Sequence, residues 1–222
     1  MPKMSALKQP DSLAKMAYDA IRQSILSGGW KIGELYNEKA IAADLGISRT
    51  PVREALLELA AQELILFLPR RGLMLNRFTR RDAEEIFELR NAIELAAVEK
   101  IALASPPHDL VDIEESLLMQ RRAANRREYL AFMDSDRLFH TRFCELTGNR
   151  RMIAIMENVR DIIHVMGAKA LALEGRANAV IEEHRAIFEA VGRGDAAGAR
   201  QAMAWHLDQS KEAVEESELQ PE

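Results

Sequence analysis

The sequence predicts a mainly α-helical protein built from a small N-terminal domain and a larger, all-α bundle of about six helices. Apolar residues recur at helical spacing through most of the 222 residues. Two short apolar segments in the first third are the only stretches with strand character. Residues 1–78 hold 11 Lys/Arg against 8 Asp/Glu, and the remaining residues hold 19 against 27. A basic part joined to an acidic part indicates two tasks in one chain.

Composition limits the class of protein. The chain is 48% hydrophobic and 29% charged, which is typical of a soluble folded protein rather than a disordered one. Its single cysteine, Cys144, excludes an intrachain disulfide and is typical of a reducing compartment. Residues 1–10 lack the apolar core of a signal peptide, and no run approaches the ~20 apolar residues of a membrane span. We therefore expect a cytoplasmic protein with no membrane partner.

The N-terminal domain begins after a polar arm at residues 1–12. A first helix is predicted from Leu13 to the Gly28-Gly29 pair, which ends it. Asn37 can cap a second, short helix over residues 38–45, with Ala40, Ile41 and Leu45 facing inward. Gly46 ends that helix, and a third helix follows almost at once. Two short helices with a glycine-containing turn between them form a helix-turn-helix unit.

The third helix is predicted to run from Ser48, which can cap it, to about Glu63. Arg49 and Arg53 lie four residues apart and therefore share one exposed face. The opposite face is predicted to be buried and carries Val52, Leu56, Leu57, Leu59 and Ala60. A helix that projects two arginines from its first turns can enter a DNA major groove. On this helix alone, an ordinary surface helix with two solvated arginines is an equally good interpretation.

The element that follows favours the DNA-reading interpretation. Residues 64–68 and 73–76 are two short apolar strands. Their connection is Pro69-Arg70-Arg71-Gly72, in which Gly72 is free to adopt a positive φ. Three helices followed by a basic hairpin are the elements of a winged helix-turn-helix, predicted here over residues 13–78. The alternative for Arg70 and Arg71 is a solubilising turn.

Residues 13–77 resemble the DNA-binding domain of GntR-family transcription regulators. The run that carries the resemblance is Gly46-Ile47-Ser48-Arg49-Thr50-Pro51-Val52-Arg53-Glu54-Ala55-Leu56. The resemblance implies that Arg49 and Arg53 read bases, while Ser48 and Thr50 contact backbone or bases. It places Lys39 as a further DNA contact, and Arg71 and Gly72 at the tip of the wing. Arg70, like Lys39, is expected to contact phosphate.

Two positions depart from the family pattern, Ile32 and Tyr36. Proline is frequent in the family at the first and an aliphatic residue at the second. We expect both departures to affect packing rather than contact with DNA. The resemblance further implies a homodimer that binds a palindromic operator in double-stranded DNA.

Residues 79–217 are predicted to form helices with short connections, and a tail follows at residues 218–222. Thr79 can cap the first of them, whose apolar stripe ends before Ser105-Pro106-Pro107. That stripe is predicted from Ile86, Leu89, Ile93, Ala96, Ala97, Ile101 and Leu103. Five more helices are predicted at about 109–124, 127–147, 150–168, 176–192 and 195–217. No strand pattern interrupts them, so an all-α bundle follows.

Four polar residues on these helices can form a metal site. Asp136 and His140 share one helix face at i and i+4, and His184 and His206 lie on two later helices. Three nitrogens and one oxygen suit a borderline divalent ion such as zinc or nickel. From the residues alone, a partly buried, hydrogen-bonded core residue is the better interpretation of each histidine taken singly, and of the Asp136–His140 pair.

Residues from about 84 to 213 resemble the FCD ligand-binding domain of one GntR subfamily. The matching segments are Asp136-Arg137-Leu138-Phe139-His140, Glu183-His184-Arg185 and Trp205-His206-Leu207. This resemblance implies a divalent metal, zinc by expectation, held by the aspartate and the three histidines. It also implies a small organic-acid effector whose carboxylate joins the metal.

Three further residues are candidates for contact with the effector. Arg90 and Arg160 each interrupt an apolar stripe, so either can pair with a second acid group. Alternatively, their stems extend along the surface. His164 can line the same pocket or be structural.

The function we predict is a metabolite-responsive transcription regulator, and by the family's commoner behaviour a repressor. Two alternatives stay open on the residues. The first is a metal-dependent enzyme domain fused to a DNA-binding module. The second is a regulator for which the metal ion itself is the signal.

Overall fold

Residues 11–104, 108–167 and 169–217 are described by the structure, a computed structural model. Most of the predicted arm, the whole predicted tail and the Ser105-Pro106-Pro107 break lie outside the described residues. The chain divides between Asn76 and Arg77 into two units. The described ranges contain nine α-helices, one 3₁₀ turn and one two-stranded sheet, which confirms the predicted mainly α fold class. No helix in these ranges is long and apolar enough to span a membrane.

The N-terminal unit contains three helices, α1 (Leu13–Leu26), α2 (Glu38–Asp44) and α3 (Arg49–Ala61). Asn37 caps α2 as predicted, because its side-chain oxygen accepts a hydrogen bond from the Ala40 amide at 2.8 Å. Ser48 occupies the N-cap position of α3, but its side chain makes no capping hydrogen bond, so the predicted side-chain cap is wrong. The third helix ends at Ala61, two residues earlier than predicted, and Glu63 adopts a positive φ of 61°.

Two inward-facing assignments in this unit are wrong. Leu57 is 50% exposed, whereas Leu56 beside it is fully buried. A helix turns by roughly 100° per residue, and Leu57 lies one such step beyond Leu56, which already stands at one edge of the buried stripe. The stripe consists of Val52, Ala55, Leu56 and Leu59. On α2, Ala40 is exposed and Ala42 takes the buried position.

The hairpin predicted as the wing is present. Strands β1 (Ile65–Leu68) and β2 (Gly72–Leu75) pair antiparallel. Gly72 has a φ of 119°, and a side chain there would collide with the carbonyl oxygen of Tyr36. The backbone of Tyr36 bridges Leu73 of β2 through hydrogen bonds of 2.8 and 2.9 Å, and its ring stacks on Trp30. Tyr36, one of the two departures from the family pattern, therefore has a packing role through its ring, and its backbone holds β2 close to the hairpin turn.

The second unit is a bundle of six helices within the described ranges. The first begins with a capping box in which Thr79 and Asp82 bond each other's backbone amides, as a cap at Thr79 predicts. The six helices are α4 (Arg80–Ala102), α5 (Val111–Arg126), α6 (Tyr129–Leu146), α7 (Arg150–Gly167), α8 (Arg176–Gly192) and α9 (Ala196–Glu216). Helix α4 packs mainly on α9, α5 on α6, and α8 on α9. A 3₁₀ turn, Ala170–Ala172, precedes α8.

The buried face of α4 differs from the predicted stripe. Leu89 is 37% exposed, Leu103 is 67% exposed, and Ala96 also faces solvent. The buried residues are instead Ala83, Phe87, Arg90, Ile93, Glu94, Ala97, Val98, Ile101 and Ala102. Two charged side chains, Arg90 and Glu94, therefore lie in the interior of the bundle, each about 1% exposed.

Candidate functional site

The basic side chains of the N-terminal unit lie on its surface. Arg49 and Arg53 project from the first turns of α3, with 65% and 61% of their side chains exposed. Ser48 and Thr50 beside them, and Lys39 on α2, are exposed as well. All five are therefore open to a partner on the surface of this unit. Contact with DNA stays a prediction for each of them.

The tip of the hairpin carries Arg70 and Arg71, both exposed. Arg70 adopts a left-handed φ of 63° within the turn. Gly72 belongs to β2 rather than to the exposed tip, and the close approach of Tyr36 is the reason for a glycine there. The structure thus gives Gly72 a backbone role, and the two arginines are the groups of this turn that can reach phosphate.

The interior of the second unit contains a cluster of polar side chains to which all six helices contribute. Such a cluster is unusual, because buried charged and polar groups lower stability unless they are paired. Its members are Arg90 and Glu94 on α4, Gln120 on α5, Asp136 and His140 on α6, Arg160 on α7, Glu183 and His184 on α8, and His206 on α9.

Three histidines form the centre of this cluster. His140, His184 and His206 are each at most 1% exposed. One ring nitrogen from each lies within 4.8 Å of the corresponding nitrogens of the other two. The Nε2 atoms of His184 and His206 are 3.2 Å apart. Phe139 stacks on the His184 ring with a centroid distance of 4.0 Å, which helps to fix that ring's orientation.

Each histidine has an oxygen acceptor at its outer nitrogen. His206 Nδ1 lies 2.8 Å from Glu183 Oε2, His184 Nδ1 lies 2.9 Å from Gln120 Oε1, and His140 Nδ1 bonds Glu94 Oε2. The Gln120 amide nitrogen donates to the Ser135 carbonyl oxygen, which directs its oxygen towards His184. Because all three outer partners are acceptors, each Nδ1 must carry the proton.

The inner nitrogens are consequently lone-pair donors that face one another. Burial, and then the positive charges and rings nearby, hold the pKa of His140 and His184 well below the usual histidine value, and burial lowers the pKa of His206. The rings are therefore neutral near pH 7. Neutral rings with their outer N–H groups bonded to acceptors are the usual state of metal-ligating histidines. This buried triad can hold a metal ion.

Asp136 lies beside the triad. Its Oδ1 is 3.8 Å from His140 Nε2 and 3.7 Å from His184 Nε2, and its Oδ2 pairs with Arg160. Burial raises the pKa of this carboxyl, but the nearby positive charge, Arg160 foremost, lowers it by more, so the net shift is downward. Asp136 is thus an ionised carboxylate with one oxygen directed towards two of the histidines.

A small cavity adjoins Asp136 and His206. Its volume is about 40 Å³, which holds roughly three water-sized groups. Arg160 lines this cavity, and its Nε and Nη1 atoms are buried without a hydrogen-bond partner among the described residues. Arg90 lines it too, but Arg90 Nε pairs with Glu94 Oε1 at 2.7 Å. Arg160 therefore has donors available for an anion, whereas Arg90 chiefly holds Glu94.

His164, expected to line the same pocket, lies outside it. The side chain is buried, with Nδ1 3.9 Å from Asp134 Oδ1, and it is not among the residues lining the cavity. It lies on α7 four residues after Arg160, but the two side chains do not share the cavity wall. Contact of His164 with an effector stays a prediction, without support from this cavity.

The outer acceptors Glu94, Gln120 and Glu183 were not singled out from the sequence. A signal was present for two of them. Gln120 interrupts the buried stripe of α5 in the way that Arg90 interrupts that of α4, and Glu94 follows Arg90 by one helical turn. Glu183 gives no such signal, because it directly follows exposed Glu182 in sequence and resembles an ordinary surface acid.

Comparison with known proteins matches both units to described families. Residues 13–75 match the family described as bacterial regulatory proteins, gntR family. Residues 85–209 match the FCD domain. The second match covers more than half of the chain and contains all four candidate metal ligands.

Relatives and a solved structure extend along nearly the whole chain. The HTH-type transcriptional regulator YdhC of Bacillus subtilis is 29% identical over 203 residues, 91% of this chain and 91% of YdhC. The HTH-type transcriptional repressor RspR of Escherichia coli is 25% identical over 197 residues, 89% of this chain and 86% of RspR. A crystal structure of a transcriptional regulator GntR from Rhodococcus sp. RHA1 has a TM-score of 0.83 and 21% identity, covering 93% and 99% of the two chains. This last similarity shows the fold alone.

Proposed function

The chain belongs to the GntR family of transcription regulators with an FCD domain, and on that premise we propose that a small carboxylate bound at a divalent metal controls its affinity for DNA. The observation that carries the proposal is the buried triad with its three outer acceptors. A structural core histidine needs one partner, whereas each of these three also brings a second ring nitrogen within 4.8 Å of those of the other two.

Regulators of this family bind DNA, and neither the family nor the named relatives are enzymes. The enzyme alternative is therefore not retained. RspR is named a repressor, which supports repression as the sign of regulation in this chain as well. We propose that two copies bind a palindromic operator and place one α3 helix on each half-site.

FCD domains bind metals, and the donor set of this chain fits a divalent ion. We assign His140, His184 and His206 as ligands through Nε2, and Asp136 through Oδ1. Three imidazoles and one carboxylate favour zinc, with nickel as the next choice. A bound ion would supply a Lewis-acidic position for a carboxylate oxygen. The outer acceptors keep each ring in the tautomer that ligation needs.

The charge balance of the cluster supports an anionic effector. Arg90 pairs with Glu94, Arg160 with Asp136, and Arg176 with Glu183. Since the histidines are neutral, these paired charges cancel, and a divalent ion would add two positive charges to a buried site. An acid with two negative groups would restore the balance. One group would lie at the metal, and the other would accept hydrogen bonds from the unpartnered nitrogens of Arg160.

Thermal-shift measurements on the zinc-loaded full chain would test this proposal, with acetate, lactate, malonate and succinate as probes. A ligand of the folded state stabilises it by RT ln(1 + [L]/Kd), about 2.7 kcal/mol at 100 times Kd. We expect a dicarboxylate to raise the melting temperature of zinc-loaded protein and to have no effect on chelator-treated protein. The same acid should lower affinity for a DNA duplex selected by the wild-type chain.

Arg160→Lys provides the matched variant, because it keeps the positive charge and removes the planar fork. We expect it to bind zinc normally and to lose most of the dicarboxylate response. An equal response with and without zinc would contradict the metal-linked site. Loss of DNA binding on zinc removal alone, with no response to any acid, would favour a direct metal sensor instead.

A further inference from the structure

Glu38 connects the two exposed arginines of α3. One carboxylate oxygen, Oε1, lies 3.3 Å from Arg49 Nη2, and the other, Oε2, lies 3.2 Å from Arg53 Nη1. Each arginine thus receives one oxygen of the same carboxylate. Glu38 belongs to α2 and lies 15 residues before Arg53, so the contact is made between the two helices of the helix-turn-helix.

The three side chains differ in how firmly they are held. Only 13% of the Glu38 side chain is exposed, against 65% for Arg49 and 61% for Arg53. Glu38 is also the first residue of α2, where the helix dipole favours a negative charge. Glu38 is therefore the fixed partner. The arginines are long, solvated side chains that would otherwise occupy many rotamers.

We propose that Glu38 determines DNA sequence specificity by positioning Arg49 and Arg53 for base reading. This inference rests on the proposed role of the two arginines. Each guanidinium has five N–H donors, and the contact with Glu38 leaves others for the O6 and N7 atoms of guanine. The carboxylate also weakens attraction to phosphate at any sequence, so it disfavours non-specific binding. Both effects raise the ratio of specific to non-specific affinity.

The effect on DNA affinity that we expect from removing the charge of Glu38 is opposite to the effect that electrostatics alone predicts. Removing a negative charge beside DNA should strengthen binding to every sequence. If Glu38 positions the arginines, Glu38→Gln should instead lower affinity for the preferred site relative to other sites. The control is Asp44→Asn, which makes the same charge change at an exposed position near the opposite end of α2.

The experiment uses the full chain and two duplexes. The wild-type protein first selects its preferred duplex from a randomised library, and a scrambled duplex of equal length and composition serves as the non-specific probe. We expect Glu38→Gln to lower the ratio of the two affinities by at least about fivefold, the lower range of one bidentate arginine contact. A repeated selection with this variant should show weaker guanine preference. Asp44→Asn should leave the ratio and the selected sequence unchanged.

The outcomes separate this inference from the proposed function. If the wild-type chain selects no preferred duplex, both fail. If it does, but Glu38→Gln tightens both affinities equally, only the positioning role is overturned. If Glu38→Gln melts at a lower temperature than wild type, Glu38→Asp replaces it in the experiment. This variant keeps the charge at the helix start, but its side chain is too short to reach both arginines, so the ratio should fall as well. A normal ratio in Glu38→Asp would also overturn the proposal. In an Arg49→Ala, Arg53→Ala background, Glu38→Gln should no longer change the ratio.

Discussion

Arginine–carboxylate pairs occur in both units, but in opposite environments. Arg49 and Arg53 meet Glu38 at the surface, with more than half of each arginine side chain in solvent. Arg90 and Arg160 meet Glu94 and Asp136 in the interior, at about 1% exposure. Water and salt screen a surface pair, so its arginines can turn their remaining donors to a partner at little cost. A buried pair depends on both partners, because either one alone is an uncompensated charge.

The largest effect expected from this difference is on stability. Arg160→Met leaves Asp136 without its cation in the interior of the bundle. We expect the free energy of unfolding of metal-free protein to fall by about 3–5 kcal/mol, the usual result of breaking a buried pair. Arg71→Met, at the exposed hairpin tip, should produce no measurable change. Urea unfolding followed by circular dichroism measures both. Equal stability of the two variants would show that burial does not distinguish these arginines.

The next largest effect concerns the outer partners of the histidines. Glu183 accepts from His206 Nδ1 and pairs with Arg176, whereas Glu182, its neighbour in sequence, is 54% exposed. Glu183→Gln should lower zinc affinity about 10- to 100-fold, because the outer partner sets ring orientation and basicity. Glu182→Gln makes the same chemical change at the surface and should leave zinc affinity unaltered. Competition with a chromophoric chelator gives both affinities, and a matching loss in the two variants would contradict the assignment.

The smallest effect of a single side chain, taken per pH unit, is a pH dependence confined to the helical unit. His140, His184 and His206 have a lowered pKa when folded, whereas residues 1–76 contain no histidine. Below the ordinary value of 6.5, the unfolded chain binds protons that the folded chain does not. The stability of metal-free protein should therefore fall as pH decreases, by at most about 1.4 kcal/mol per pH unit for each histidine.

Unfolding measured at three pH values between 7.5 and 5.5 gives this slope. His184→Gln should reduce the slope, while exposed His108→Gln should leave it unchanged. A slope that is identical in wild type and His184→Gln would mean that the buried rings do not carry the effect.

Much of the fold was predictable because it depends on neighbouring residues. The helices of both units, the cap at Thr79 and the hairpin between residues 65 and 75 follow from short-range spacing. The histidines were identifiable as candidates because they interrupt apolar stripes. Spacing alone left their role open, and the choice of ligands depended on a resemblance to a family.

The errors in the buried faces of α3 and α4 have one physical origin. The stripe predicted for α4 included Leu89 and Leu103, which face solvent, and left out Glu94, which is buried. On α3, Leu57 is apolar but exposed for the same reason. Apolar residues are frequent on protein surfaces, so a hydrophobic pattern fixes the rotation of a helix about its axis only within a broad range. If a helix is rotated about its axis by the angle of one residue, roughly 100°, a different set of side chains faces the interior.

The sequence by itself determined that the chain has two parts and that both are largely helical. It also determined the helix α3 with its two arginines and the residue types able to bind a metal. Only the tertiary structure decided which acceptors meet the outer nitrogens of the histidines and that Glu38 lies between Arg49 and Arg53. It also separated Arg160, whose donors at the cavity have no partner in the described part of the chain, from Arg90 and His164. Helical periodicity is a property of consecutive residues. The meeting of side chains from six helices depends on how each helix is rotated and packed, and no single stretch of sequence contains that information.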